Sequence, residues 1–130
     1  LENTSAIILI EKTRGWGEME KKTIENGLRQ AWSIKSSSKW TAGNPARGQC
    51  GVTALVIHDH LGGEIAKTTI EGSWHFYNII DGIRQDFTVS QFERIPDYED
   101  RPSSRAEAFA DTNEEQYKSL KEAFQRANRP

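Results

Sequence analysis

A single cysteine stands in the 130 residues, so no internal disulfide can form and a disulfide scaffold is excluded. That usage fits a reducing compartment, and a cytoplasmic location is the expectation. No apolar run approaches the roughly 20 residues of a membrane-spanning helix, so no membrane association is expected. Neither sign of charge is in excess. Lys and Arg number 17 against 19 Asp and Glu, a formal net charge of -2. That balance offers no electrostatic case for nucleic acid. Internal repeats and low-complexity tracts are also missing. Methionine occurs once, at Met19, and Met19-Glu20-Lys21-Lys22 reads as a natural start followed by a helix. Residues 1–18 are therefore read as a vector-derived or upstream arm, and 19–130 as one domain with one core. Within the arm, Ala6-Ile7-Ile8-Leu9-Ile10 is shorter than the roughly 7–15 apolar residues of a signal-peptide core. It is either a strand added to the chain's own sheet or a surface for self-association.

What is present centres on Gly48-Gln49-Cys50-Gly51-Val52-Thr53-Ala54-Leu55-Val56-Ile57. The loop-forming run Thr41–Gly48 precedes it, and Gly62-Gly63 closes the apolar segment as a C-cap signal. The spacing predicts a buried helix from Cys50 to Leu61, apolar on most faces and central to the fold. Cys50 then opens that helix, where the dipole and free amides favour a thiolate. Upstream, Ile24, Leu28, Ala31 and Trp32 predict an amphipathic helix over 18–33, and Ser36-Ser37-Ser38 reads as a solvated turn. Downstream, strands are predicted over 64–71, 74–80 and 83–89, with turns at Gly72-Ser73 and Asp81-Gly82. Residues 88–92 read as a short turn or helix, with Thr88 or Ser90 as its cap. A long polar surface loop follows over 94–111, with one helical turn near 106–109. Thr112-Asn113-Glu114-Glu115 reads as a capping box with Thr112 as N-cap, opening a last helix striped by Tyr117, Leu120, Phe124 and Ala127. The fold class is α+β, a central helix packed on an antiparallel sheet of at least three strands, with N- and C-terminal helices.

The hairpin makes a geometric prediction. A two-residue turn at Asp81-Gly82 sets Ile80 opposite Ile83, Ile79 opposite Arg84 and Tyr77 opposite Asp86. Since alternate residues share a face, His75, Tyr77, Arg84, Asp86 and Thr88 lie on one side and Asn78 on the other. His75 and Asp86 become diagonal neighbours. Cys50, His75 and Asp86 are thus the parts of a catalytic triad: thiol nucleophile, imidazole base and acid, and carboxylate that orients the imidazole. The side-chain amides of Gln49 and Asn44 are oxyanion candidates beside the Cys50 backbone amide. Trp40, Tyr77 and Arg84 are cleft candidates, Arg84 pairing with Asp86 or binding a substrate carboxylate. His58-Asp59-His60 is no chelate, because helical residues two apart do not share a face. Zinc held by Cys50, His75 and Asp86 is the weaker alternative. The expectation is no metal and no cofactor.

Gly48-Gln49-Cys50-x-x-Thr53-Ala54, Asp59-x-Leu61-Gly62-Gly63-Glu64-Ile65, His75-x-x-Asn78 and Asp86-x-Thr88-x-x-Gln91-Phe92 resemble the YunG-like family of uncharacterised bacterial proteins, over roughly residues 32–92. More distantly, the order Cys50, His75, Asp86 and the apolar helix opened by Cys50-Gly51 resemble papain-like cysteine peptidases, including those that process bacteriocins. That resemblance implies a papain-like fold and hydrolysis, deamidation or acyl transfer at a peptide or amide bond. Those peptidases carry a Gln about six residues before the cysteine, where this chain has Asn44. The alternative function is a non-catalytic module of the same fold that binds a peptide or protein.

Overall fold

A computed structural model describes residues 18–128. Residues 1–17, with the expected roles of 6–10, lie outside the described residues. The elements run α1 (Glu18–Ala31), α2 (Cys50–Leu61), β1 (Glu64–Ile70), β2 (Ser73–Ile80), β3 (Ile83–Gln85), a 3-10 turn (Val89–Gln91), β4 (Arg101–Pro102), α3 (Arg105–Ala110) and α4 (Glu114–Ala127). The protein is α+β, with one antiparallel sheet ordered β3-β2-β1-β4.

Helix α2 is the centre, as its nearly all-round apolarity demands. One side packs with Leu28 of α1, with Trp32 just after it and with Leu120 and Phe124 of α4, through Val52 and Val56. The other side, through Ala54 and Leu55, meets Ile65 of β1, Phe76 of β2 and Ala108 of α3. The Val, Leu, Ile and Phe side chains among these contribute about 1.5–3 kcal/mol each when fully buried. Such burial on both flanks fixes the start of α2 relative to the sheet. Among the described residues, no helix is long and apolar enough to cross a membrane.

Both hairpins turn on two residues at positive φ, Glu71 (51°) with Gly72 (82°) and Asp81 (52°) with Gly82 (76°). This is the type I′ geometry that matches strand twist. The first turn therefore lies one residue earlier than Gly72-Ser73. In the second, Asn78 pairs with Gln85, Ile79 with Arg84 and Ile80 with Ile83, the expected register.

Several elements differ from expectation. β3 stops at Gln85 rather than reaching Val89, because Asp86 turns out of the ladder. Its Oδ1 accepts the Thr88 N–H at 3.2 Å and the Thr88 hydroxyl at 3.3 Å. That local side-chain-to-backbone bond competes with strand pairing. Ser36 and Ser37 are buried, not solvated, and the Ser36 hydroxyl closes the turn by accepting the Ser33 N–H. The N-cap of α4 is Asn113, whose side chain accepts the Gln116 N–H. Thr112 instead donates to Gln116 Oε1, so the cap sits one residue later than expected. The segment 94–111 is not simply a surface loop. It adds β4 to the edge of β1 and forms α3, with Ser104 as N-cap.

Candidate functional site

The two faces of β2 divide the labour. Phe76 and Asn78 face α2, where Asn78 Nδ2 donates to the Ala54 carbonyl at 3.1 Å. His75 and Tyr77 lie on the opposite face, against Phe92, Tyr98 and Asp100. The Phe92 and His75 rings make a T-shaped contact with centroids 4.9 Å apart, and the Tyr98 ring meets Tyr77 at 4.9 Å. Parity alone dictates this split.

His75 Nε2 lies 2.7 Å from Asp86 Oδ2, and the two side chains are 3% and 4% exposed. Tyr98 donates its hydroxyl to the same Oδ2 at 2.7 Å, while Thr88 occupies Oδ1. The Asp86 carboxylate is thus satisfied from several directions, the condition under which a buried acid is tolerated. Deleting one partner of such a buried pair costs about 3–5 kcal/mol, so the ring is held firmly. Burial, and then the bond to Asp86, holds the Tyr98 phenol well above its ordinary pKa.

Cys50 is half-buried at the first position of α2. The Phe76 backbone N–H favours its thiolate, an effect outweighed by burial. Cys50 and His75 both line one cleft of about 600 Å³, with Trp74, Gln91, Phe92 and Asp111 among the other walls. Asp111 had no local signal in the sequence. It ends α3 just before the Asn113 cap of α4, so two helix termini position it. Its Oδ2 accepts the Gly51 N–H at 3.1 Å and the Cys50 thiol at 3.5 Å. Gln49 supplies no side-chain cap to α2, and Asp111 provides one from outside the helix. Only glycine permits this approach: a Cβ on Gly51 would lie 2.6 Å from Asp111 Oδ2 and 2.8 Å from the Ala108 carbonyl.

That contact corrects the electrostatic expectation. Burial, and then the Asp111 charge, pushes the Cys50 thiol up to about 12. The helix dipole does not prevail against this burial, with the Asp111 carboxylate at the helix N-terminus adding to it. Burial also raises the Asp111 carboxyl above its ordinary value. Near neutral pH the Cys50 thiol is therefore protonated.

The remaining expected residues go elsewhere. Gln49 is fully buried, and its Nε2 donates to the Ser33 carbonyl, away from the cleft. Asn44 Nδ2 donates to the Gln91 carbonyl. Trp40 packs against the core shared by α1, α2 and α4. Tyr77 is buried and donates its hydroxyl to Asp100, which also takes Arg84. Arg84 thus pairs with Asp100 and not with Asp86. These five do not form the cleft, because each is committed to a neighbour that sequence spacing could not reveal. Around His58-Asp59-His60, Asp59 pairs with Arg105 and Lys121, and His58 Nδ1 faces Arg105. Among the described residues, no cluster of three or more His, Cys, Asp or Glu is arranged for a metal ion.

A family model described as YunG protein matches residues 20–129. The chain is 62% identical over 99 residues to "Uncharacterized protein YunG" of Bacillus subtilis (strain 168), covering 76% of this chain and 86% of that one. No solved structure matches.

Proposed function

The chain belongs to the YunG family, and for it we propose thiol-dependent acyl chemistry at a peptide or amide bond, carried by Cys50, His75 and Asp86. The observation behind this reading is that Cys50 and His75 line one cleft while Asp86 engages His75 Nε2 at 2.7 Å. With Nε2 occupied, Nδ1 is the nitrogen that receives the thiol proton as sulfur attacks the carbonyl carbon. A C–S bond forms and the carbonyl π pair moves onto oxygen. Collapse of that intermediate breaks the C–N bond, and the imidazolium protonates the departing amine. Water then cleaves the thioester for hydrolysis or deamidation, or a second amine does so for transfer. Asp86 stabilises the transient imidazolium and fixes its tautomer. The raised thiol pKa is compatible with this order of events, since His75 removes the proton during attack and no resting thiolate is required. A cysteine opening a helix packed on an antiparallel sheet, with histidine on β2, supports a papain-like fold. A cytoplasmic location and a peptide or small amide substrate complete the proposal, and no cofactor takes part.

A second reading is favoured by one observation. Cys50 donates to Asp111, with its thiol pushed up to about 12, as suits an inert thiol in a peptide-binding cleft. Amine release from a panel of peptides and primary amides separates the two. The acyl-transfer reading expects release by the wild-type protein and none above background by Cys50→Ala. Equal traces, alongside saturable peptide binding by both proteins, would establish the binding module.

A further inference from the structure

Gln91 carries the inference. It ends the 3-10 turn that follows Asp86 and Thr88, and it lines the cleft with Gly48, Cys50 and His75. Its backbone carbonyl accepts Asn44 Nδ2 at 3.2 Å, and its Oε1 accepts the Gly48 N–H at 3.4 Å. These two bonds tie the loop before Cys50 to the segment after His75. A backbone N–H can only donate, so the Gly48 contact fixes the amide oxygen on that side and turns the NH2 group the other way. Nε2 is closed to solvent and has no hydrogen-bond partner. A buried donor without an acceptor is costly, and at a functional cleft it marks a place where an acceptor is meant to arrive. Gly48, whose N–H holds the Gln91 oxygen, is itself restricted to glycine: it sits at φ 74°, and a Cβ there would lie 2.5 Å from Ser37 Oγ and 2.8 Å from Lys39 Cβ.

We propose that the Gln91 side-chain amide is a donor of the oxyanion hole, acting with the Cys50 backbone N–H in the role expected of Asn44 or Gln49. This rests on the acyl-transfer reading above. The acceptor is the carbonyl oxygen of the scissile amide as it gains negative charge, so Gln91 touches a reacting atom and is a catalytic residue.

The test compares two reactions of Cys50 in the full chain. p-Nitrophenyl acetate acylates the sulfur through a tetrahedral oxyanion and expels p-nitrophenolate. Iodoacetamide alkylates it by displacing iodide at a saturated carbon, with no oxyanion. The ratio of the two rates cancels the thiolate fraction. Gln91→Glu keeps the acceptor for Gly48 and removes the donors, while Gln91→Met removes both, with circular dichroism confirming folding. The expected result is a fall of about 10²-fold in the acylation-to-alkylation ratio for both variants, as for loss of one oxyanion donor. An unchanged ratio in a folded variant makes Gln91 a loop clamp only and leaves the acyl-transfer reading standing. If wild-type Cys50 is alkylated but never acylated, both ideas fall together.

Discussion

Replacing His75 by Ala is expected to slow amine release by about 10²–10⁴-fold, the contribution of a positioned general base. The argument runs through the thiol. Because burial and Asp111 raise Cys50 to about 12, almost none of it ionises unaided near neutral pH. Catalysis then depends on a base that accepts the proton during attack. In the proposed mechanism His75 is that base, oriented by the Asp86 bond at 2.7 Å and packed against Phe92. The loss should appear mainly in kcat, since the substrate still meets the same cleft walls. A His75→Ala protein that folds and retains wild-type turnover would remove His75 from the mechanism.

Asp111→Asn is expected to move thiol reactivity the opposite way. The carboxylate raises the Cys50 pKa both by its charge and by accepting the thiol proton. The amide removes the charge, and its Oδ1 can still accept the Gly51 N–H. Each unit by which the thiol pKa falls multiplies the thiolate fraction tenfold when the pH lies well below it. Iodoacetamide labelling of Cys50 near pH 8 should therefore accelerate about tenfold or more. An unchanged rate would mean that burial alone sets the thiol. Stability supplies an independent sign. Burial raises the folded-state pKa of Asp111, so its favourable contribution is complete below the unfolded carboxyl pKa and disappears as pH rises through the folded value. Asp111→Asn should accordingly raise the unfolding midpoint near pH 7, and that advantage should shrink in acid.

The His75–Asp86 contact is legible in the sequence because a short hairpin constrains parity. The two-residue turn at Asp81-Gly82 sets Ile79 opposite Arg84 and brings the chain back toward His75, and Asp86 meets that ring just after leaving the ladder. The α2 boundaries were equally plain, since the loop before Cys50 and Gly62 after Leu61 bracket an apolar run. What stayed hidden came from the segment after Phe92. Tyr98, Asp100 and Asp111 lie in a polar stretch with no periodicity, so only tertiary folding shows that they reach Asp86, Arg84 and Cys50. The oxyanion candidates failed for a related reason. Gln49 adjoins the cysteine in sequence, but its side chain is buried against the Ser33 carbonyl, whereas Gln91 lines the cleft with Cys50 from 41 positions along the chain.

The most direct measurement is intact-protein mass spectrometry during reaction with p-nitrophenyl acetate, with peptide mapping at successive times. The wild-type protein should gain one acetyl group on Cys50 and then lose it to water, and His75→Ala should be slow in both phases. Acetylation confined to lysines, or a Cys50 thioester that forms and decays at the same rates without His75, would contradict a shared acyl-transfer centre.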